Sequence, residues 1–115
     1  MLASPNRLKQ PRAIARVFKR GRQGTSGPIG VKAALNGTAT SRAVVVVSKK
    51  VSKRAVVRNR IRRRIIAMIG ERWATVAPGY DIVVTVHSNI AETPASELIK
   101  HLDMAIQRTK MITVS

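Results

Sequence analysis

Val57, Ile61, Ile65, Met68 and Ile69 recur at i, i+4, i+8, i+11 and i+12. At about 100° per residue these five fall within an arc of about 120°. The spacing therefore predicts a helix from about Arg54 to Arg72 with one aliphatic face. Asn59, Arg60, Arg62, Arg63 and Arg64 fan over the opposite side, interrupted by Ile66 and Ala67. A shorter helix is predicted over 12–20, with Ile14, Val17 and Phe18 on one face and Arg12, Arg16, Lys19 and Arg20 elsewhere. Pro11 suits its first turn, and Gly21 is expected to stop it in a left-handed conformation. A last helix is predicted to begin at Thr93 or Ala95, near Pro94. Leu98, Ile99, Leu102, Met104, Ala105 and Ile106 should face its core.

Strands are predicted at 29–35, 42–48 and 80–87. The unbroken valines at 44–47 imply a strand with both faces covered or used. Residues 22–28 read as a loop by their Gly, Ser and Pro content. Asn36-Gly37 and Pro78-Gly79 read as turns. Residues 1–10 are polar and expected to be loose, and those after Lys110 to fray. The order is helix, strand, strand, helix, strand, helix. That order implies a single α+β sandwich domain over residues 1–115.

Charge then narrows the function. Lys and Arg total 22 against 5 acids, a formal net charge of +17. Such a field points to nucleic acid or an anionic membrane. No apolar run approaches the length of a membrane span, and no apolar stretch follows Arg7 and Lys9, so no signal peptide is expected. The chain has no cysteine, which excludes disulfides and thiolate chemistry and suits the cytoplasm. Aromatic content is only 3%, so the core must be aliphatic. The basic residues concentrate at Lys49, Lys50, Lys53, Arg54, Arg58, Arg60 and Arg62 to Arg64, where Glu71 is the nearest acid in sequence. Arg presents a planar fork that matches phosphate bidentately. Arg58 with Arg62, and Arg60 with Arg64, are like-charge pairs one turn apart that repel. A solvated basic face would carry that cost without return; a polyanionic partner would offset it.

Catalytic machinery is not visible. Glu71, Asp81, Glu92, Glu97 and Asp103 are scattered, His87 and His101 are isolated, and Ser48 and Ser52 have no evident partner. There is no phosphate-binding glycine loop. No catalytic residue and no protein metal site are therefore expected. A structural RNA-binding protein of ribosomal type fits the composition equally well, and a membrane-active cationic protein fits less well.

Specific residues separate these readings. Ser48-Lys49-Lys50, then Ala55-Val56, then Arg58-Asn59-Arg60 followed by Arg62 and Arg63, resembles the "RNR" block of the bacterial ribonuclease P protein component. Arg7-Leu8-Lys9, Val17-Phe18 and Gly21 resemble that family's first helix, and Pro78-Gly79-Tyr80-Asp81-Ile82-Val83-Val84 its following strand. The resemblance implies a two-layer sandwich, a small mixed sheet with helices on one side, and a left-handed β–α–β crossover. It implies a monomer within a ribonucleoprotein, where a catalytic RNA carries Mg²⁺ and cuts the 5′ leader from precursor tRNA. The protein itself would hold no cofactor stably. Arg12, Arg16, Lys49, Lys50, Lys53, Arg54, Arg58, Asn59, Arg60, Arg62, Arg63 and Arg64 are the expected RNA contacts. Ile14, Phe18, Val44, Val46 and Ser48 are expected to line a leader cleft. Ile14 stands where that family usually has a second Phe, and Ile66 where a further Arg is common. Contact with the leader is thus expected to be largely aliphatic and electrostatic.

Overall fold

The computed structural model describes residues 2–110. The order is α1 (Pro11–Arg20), β1 (Arg22–Ser26), β2 (Ile29–Leu35), β3 (Arg42–Val47), α2 (Ala55–Glu71), β4 (Tyr80–Val86) and α3 (Ala95–Thr109). The strands form one mixed sheet in the order β1-β2-β4-β3. β1 and β4 pair antiparallel with β2, while β3 and β4 pair parallel, joined through α2. The chain leaving Asn36-Gly37 therefore does not fold back onto β2, because β4 takes that position. Gly37 supplies a φ of +75° in a wider loop, held by Asn36 Oδ1 accepting from the Thr38 N–H and hydroxyl, each at 2.8 Å.

Strand alternation divides the interior. Ala43, Val45 and Val47 of β3, Ile82, Val84 and Val86 of β4, and Ile29, Val31 and Ala33 of β2 face one side. They meet Ile61, Ile65, Met68 and Ile69 of α2 and Leu98, Leu102 and Ala105 of α3. Fully burying one such aliphatic side chain stabilises the fold by about 1.5–3 kcal/mol. Val83, Ala34, Val44 and Val46 face the other side, where they meet Leu8, Ala13, Ile14 and Val17. The two long helices thus share one side while α1 lies across the other, so the expectation of helices on one side holds for α2 and α3 and fails for α1, whose own apolar stripe covers the second face. The valine run is apolar throughout because its alternate members serve opposite layers.

Three local expectations need correction. Residues 22–26 form a strand, not a loop: its one buried position is Gly24, so it carries no apolar period. A Cβ there would stand 2.1 Å from the Ala105 carbonyl, which shows how closely α3 lies on β1. Gly21 ends α1 with an extended φ of −72°, not a left-handed one; a Cβ would stand 2.5 Å from the Val17 carbonyl oxygen. The N-terminal segment is anchored, not loose. Leu2 and Leu8 are buried, and Arg7 bridges in parallel to Ala43 on the edge of β3. Residues 111–115 lie outside the described chain.

A buried ion pair locks the start of the parallel pair. Arg42 donates through Nε and Nη2 to the two Asp81 carboxylate oxygens, each at 2.8 Å, and Asn36 Nδ2 donates to Asp81 Oδ1 at 3.0 Å. Its hydrogen bonds to Asp81 hold the Arg42 guanidinium above its ordinary pKa, against the opposing effect of burial.

Candidate nucleic-acid interface

α2 packs on one face of the sheet through its aliphatic stripe, so its remaining surface is fixed in direction. Its N-terminus is unusual. Arg54 is the N-cap, there is no side-chain cap and no acid in the first turn. Lys53 and Arg54 thus face the positive end of the helix dipole, an arrangement that favours a bound anion. Lys49, Lys50, Lys53, Arg54, Asn59, Arg60 and Arg63 are exposed, and Arg58, Arg62 and Arg64 are half-buried.

The predicted arginines divide by what they already touch. Arg63, Lys49, Lys50 and Lys53 form no ion pair among the described residues. Arg60 pairs with Glu92 at 3.0 Å, both side chains being more than half exposed. That neutralisation comes from a distant segment and is invisible in the local sequence. Arg62 donates to Asn59 Oδ1 across one turn, and Arg58 donates to the Ser52 carbonyl at 2.9 Å. Arg64 is committed furthest: its guanidinium donates to the carbonyls of Ile90, Ala91 and Thr93 at 2.7, 3.0 and 2.6 Å. It staples the segment between β4 and α3 onto α2. Arg54, Val57, Arg60, Arg63, Asn89 and Glu92 border an open basic depression of about 750 Å³ between these two elements.

The opposite sheet face carries the second predicted group. Ile14 and Phe18 project from one flank of α1, and Ile14, Val44 and Val46 each pack against the buried cluster of Leu8, Ala13, Val17, Ala34 and Val83. Phe18 is 41% exposed, high for a lone Phe, so core packing does not account for it. Ser48 is exposed at the end of β3. The structure adds residues that sequence reasoning missed. Phe18, Gln23, Gly30, Lys32, Thr85 and His87 border a hollow of about 170 Å³. Lys32 Nζ lies 5.6 Å from the Phe18 ring centroid and donates to the Phe18 carbonyl at 3.1 Å. Thr85 Oγ1 and His87 Nε2 are 3.2 Å apart. A Cβ on Gly30 would stand 2.7 Å from Thr85 Oγ1, so glycine keeps this hollow open. Period-two alternation from Gly30 to Lys32 and from Val83 through Thr85 to His87 was the available signal; the apolar runs around them masked it. Arg12 and Arg16 border a separate shallow hollow on α1 with Ala15, Lys19 and Arg20. Among the described residues, no cluster of three metal-ligating side chains is present, and no helix is long and apolar enough to cross a membrane.

Known proteins place this arrangement. The solved ribonuclease P protein of Staphylococcus aureus superposes with a TM-score of 0.81 at 22% identity, covering 94% of this chain and 98% of that one. The Thermotoga maritima protein gives a TM-score of 0.77 at 22% identity, covering 91% and 96%. Both show the shared fold. The ribonuclease P protein component of Rippkaea orientalis is 33% identical over 93% of this chain and 88% of its own length. That of Streptomyces bikiniensis is 32% identical over 94% of each chain. The sequence model of the family described as Ribonuclease P matches residues 2–110. With fold, arginine helix and full-length relatives in agreement, the chain belongs to the ribonuclease P protein family.

Proposed function

We propose that this protein is the RNA-binding subunit of a cytoplasmic ribonucleoprotein endonuclease that matures the 5′ end of tRNA. The catalytic RNA docks on the α2 surface, where Lys49, Lys50, Lys53, Arg54, Arg60 and Arg63 meet its phosphates. The single-stranded leader of precursor tRNA lies on the other sheet face, between α1 and the ends of β3 and β4. Phe18 offers a stacking surface there, Val44 and Val46 an aliphatic floor, and Lys32 a charge for the backbone. Mg²⁺ is held by the RNA, which carries out hydrolysis; the polypeptide positions, as a monomer within the particle.

The carrying observation is the placement of two unlike surfaces on opposite sides of one sheet. One is dominated by guanidinium and ammonium groups; the other is a half-apolar hollow with an exposed aromatic ring. A ribosomal-type protein needs the first and has no use for the second. The test is reconstitution of the protein with ribonuclease P RNA from its own organism and precursor tRNA at low Mg²⁺. Cleavage should rise with protein and require the RNA. Cleavage by the protein alone, or no assistance to the RNA, refutes the reading.

A further inference from the structure

Between Leu2 and Lys9 the large aliphatic residues are Leu2 and Leu8. Leu2 is buried in the layer that holds α2, and Leu8 in the layer that holds α1. The segment joining them therefore passes around the outer edge of the sheet, along β3. It is tied there by the Leu8 N–H donating to the Ala43 carbonyl at 2.9 Å and by Asn6 Nδ2 donating to the Ser41 carbonyl at 3.0 Å. Its bridge to β3 is isolated, so the pairing does not run on along the strand. Where the segment leaves the edge, Leu2, Leu8, Ala43, Val44, Val45 and Ile66 line a hollow of about 390 Å³. Val44 and Val45 point to opposite faces of the sheet, so a hollow that both line lies at the seam between the two layers.

The rim is cationic. Arg7, Lys9, Arg62 and Arg63 border the hollow, and none of them forms an ion pair among the described residues. Arg7 gives its Nε to the Leu2 carbonyl at 2.9 Å, and Arg62 donates to Asn59 Oδ1. Lys9 and Arg63 are exposed. No acid and no neutral polar side chain lines the space. A nucleobase there would leave its polar edges unmatched by side chains, which disfavours it. An aliphatic chain gains from burial against the leucines and valines, and an anionic end gains from the guanidinium forks. The volume falls in the range of small-molecule clefts, about 300–1,000 Å³. At about 30 Å³ for a water-sized group, it has room for a chain of about eight carbons and its head group.

We propose that this hollow is a binding site for a free amphipathic anion: an aliphatic chain of about eight carbons that ends in a carboxylate or a phosphate monoester. The chain lies along the outer edge of β3, and the head pairs with Arg63 and its cationic neighbours. Occupancy withdraws Arg63 from phosphate contacts and so weakens the hold on the catalytic RNA. That consequence rests on the proposed docking of RNA on α2; the binding itself does not.

The experiment titrates the full chain with hexanoate and octanoate, below the concentrations at which they aggregate, and with acetate, 1-octanol and octyl phosphate. Calorimetry measures affinity and backbone amide NMR shifts locate the site. Octanoate should bind about 15-fold tighter than hexanoate, two methylenes at about 0.8 kcal/mol each against 1.36 kcal/mol per factor of ten. Octanol and acetate should bind at least tenfold more weakly than octanoate, and shifts should concentrate at residues 7–9, 43–45 and 62–66. Ile66→Phe fills the hollow without changing charge and should remove the dependence on chain length. Arg62→Gln with Arg63→Gln alters side chains at the helix surface and should cost about tenfold for octanoate and octyl phosphate while sparing octanol; thermal melts check both variants. Affinity independent of chain length, octanol binding as well as octanoate, shifts spread over the whole basic surface, or binding only to vesicles that carry the acid overturns the proposal. Octanoate should also compete with the catalytic RNA, lowering its affinity about fivefold at saturation. Octanoate bound at the hollow with RNA affinity unchanged upholds the site and refutes instead the use of Arg63 by the RNA.

Discussion

Arg63 and Arg64 are neighbours in the basic block, and the structure assigns them opposite work. Arg64→Ala removes three donations, at 2.7, 3.0 and 2.6 Å, to the carbonyls of Ile90, Ala91 and Thr93. A hydrogen bond from a charged donor contributes about 1.5–3 kcal/mol when well shielded. The Arg64 side chain is half-exposed, and the freed carbonyls can recruit water, so the total is discounted to about 2–3 kcal/mol. For a domain of this size that is a fall in Tm of about 10 °C. Hydrogen exchange should quicken at residues 90–93, where the segment loses its staple. Arg63→Ala removes an exposed side chain without an ion pair, so stability should change by less than about 0.5 kcal/mol. Its affinity for the catalytic RNA should drop about tenfold and its salt slope by about 0.9 for one duplex phosphate. Thermal melts and filter binding on both variants decide the matter. If Arg64→Ala melts like the parent and binds as poorly as Arg63→Ala, the division of labour is wrong.

Other substitutions probe the remaining parts. Phe18→Ala should weaken binding of precursor tRNA several-fold while sparing mature tRNA; equal weakening of both would remove Phe18 from the leader site. Glu92→Gln frees Arg60 and should raise affinity for the catalytic RNA about two- to fivefold at low salt, the gain fading as screening shortens the reach of the charge; a drop would mean that Glu92 orients Arg60 for binding. Asp81→Asn breaks the buried pair with Arg42 and should cost about 2–4 kcal/mol by urea titration, because Arg42 is left partly buried without its counter-charge. The Arg42 pKa lies above the usual arginine value. The titration of Arg42 itself therefore takes nothing from the pair below the ordinary arginine value and weakens it only as pH rises past the raised one, so stability near neutrality should show no step from Arg42.

The long elements were legible because each buries a continuous stripe. Ile61, Ile65, Met68 and Ile69 are buried as their spacing demands, with Val57 partly so. On α3 the same rule places Leu98, Leu102 and Ala105 inside, while Met104 points out at 43% exposure. β1 was not legible, since its inward position is a glycine and its stability comes from β2 and α3. The anchoring of Leu2 and Leu8 depends on partners far along the chain. The arginine block announced an anionic partner. Its internal division did not show, because the acceptors for Arg64 and the carboxylate for Arg60 come from residues 90–93. The hollow beside Phe18 was half legible: Phe18 could be named, whereas Lys32, Thr85 and His87 meet only once β2 and β4 pair.

The parity of β3 carries a consequence for how this protein can change. Odd positions from Ala43 to Val47 point into the layer that seats α2, whereas Val44 and Val46 point toward α1. Bulkier or smaller residues at odd positions will disturb the seating of the arginine helix, while those at even positions will reshape the surface on the α1 side, the floor of the proposed leader site. If the proposed function holds, two selective pressures act on one hexapeptide in alternation, and drift in leader preference can proceed every second residue without loosening the hold on the ribozyme.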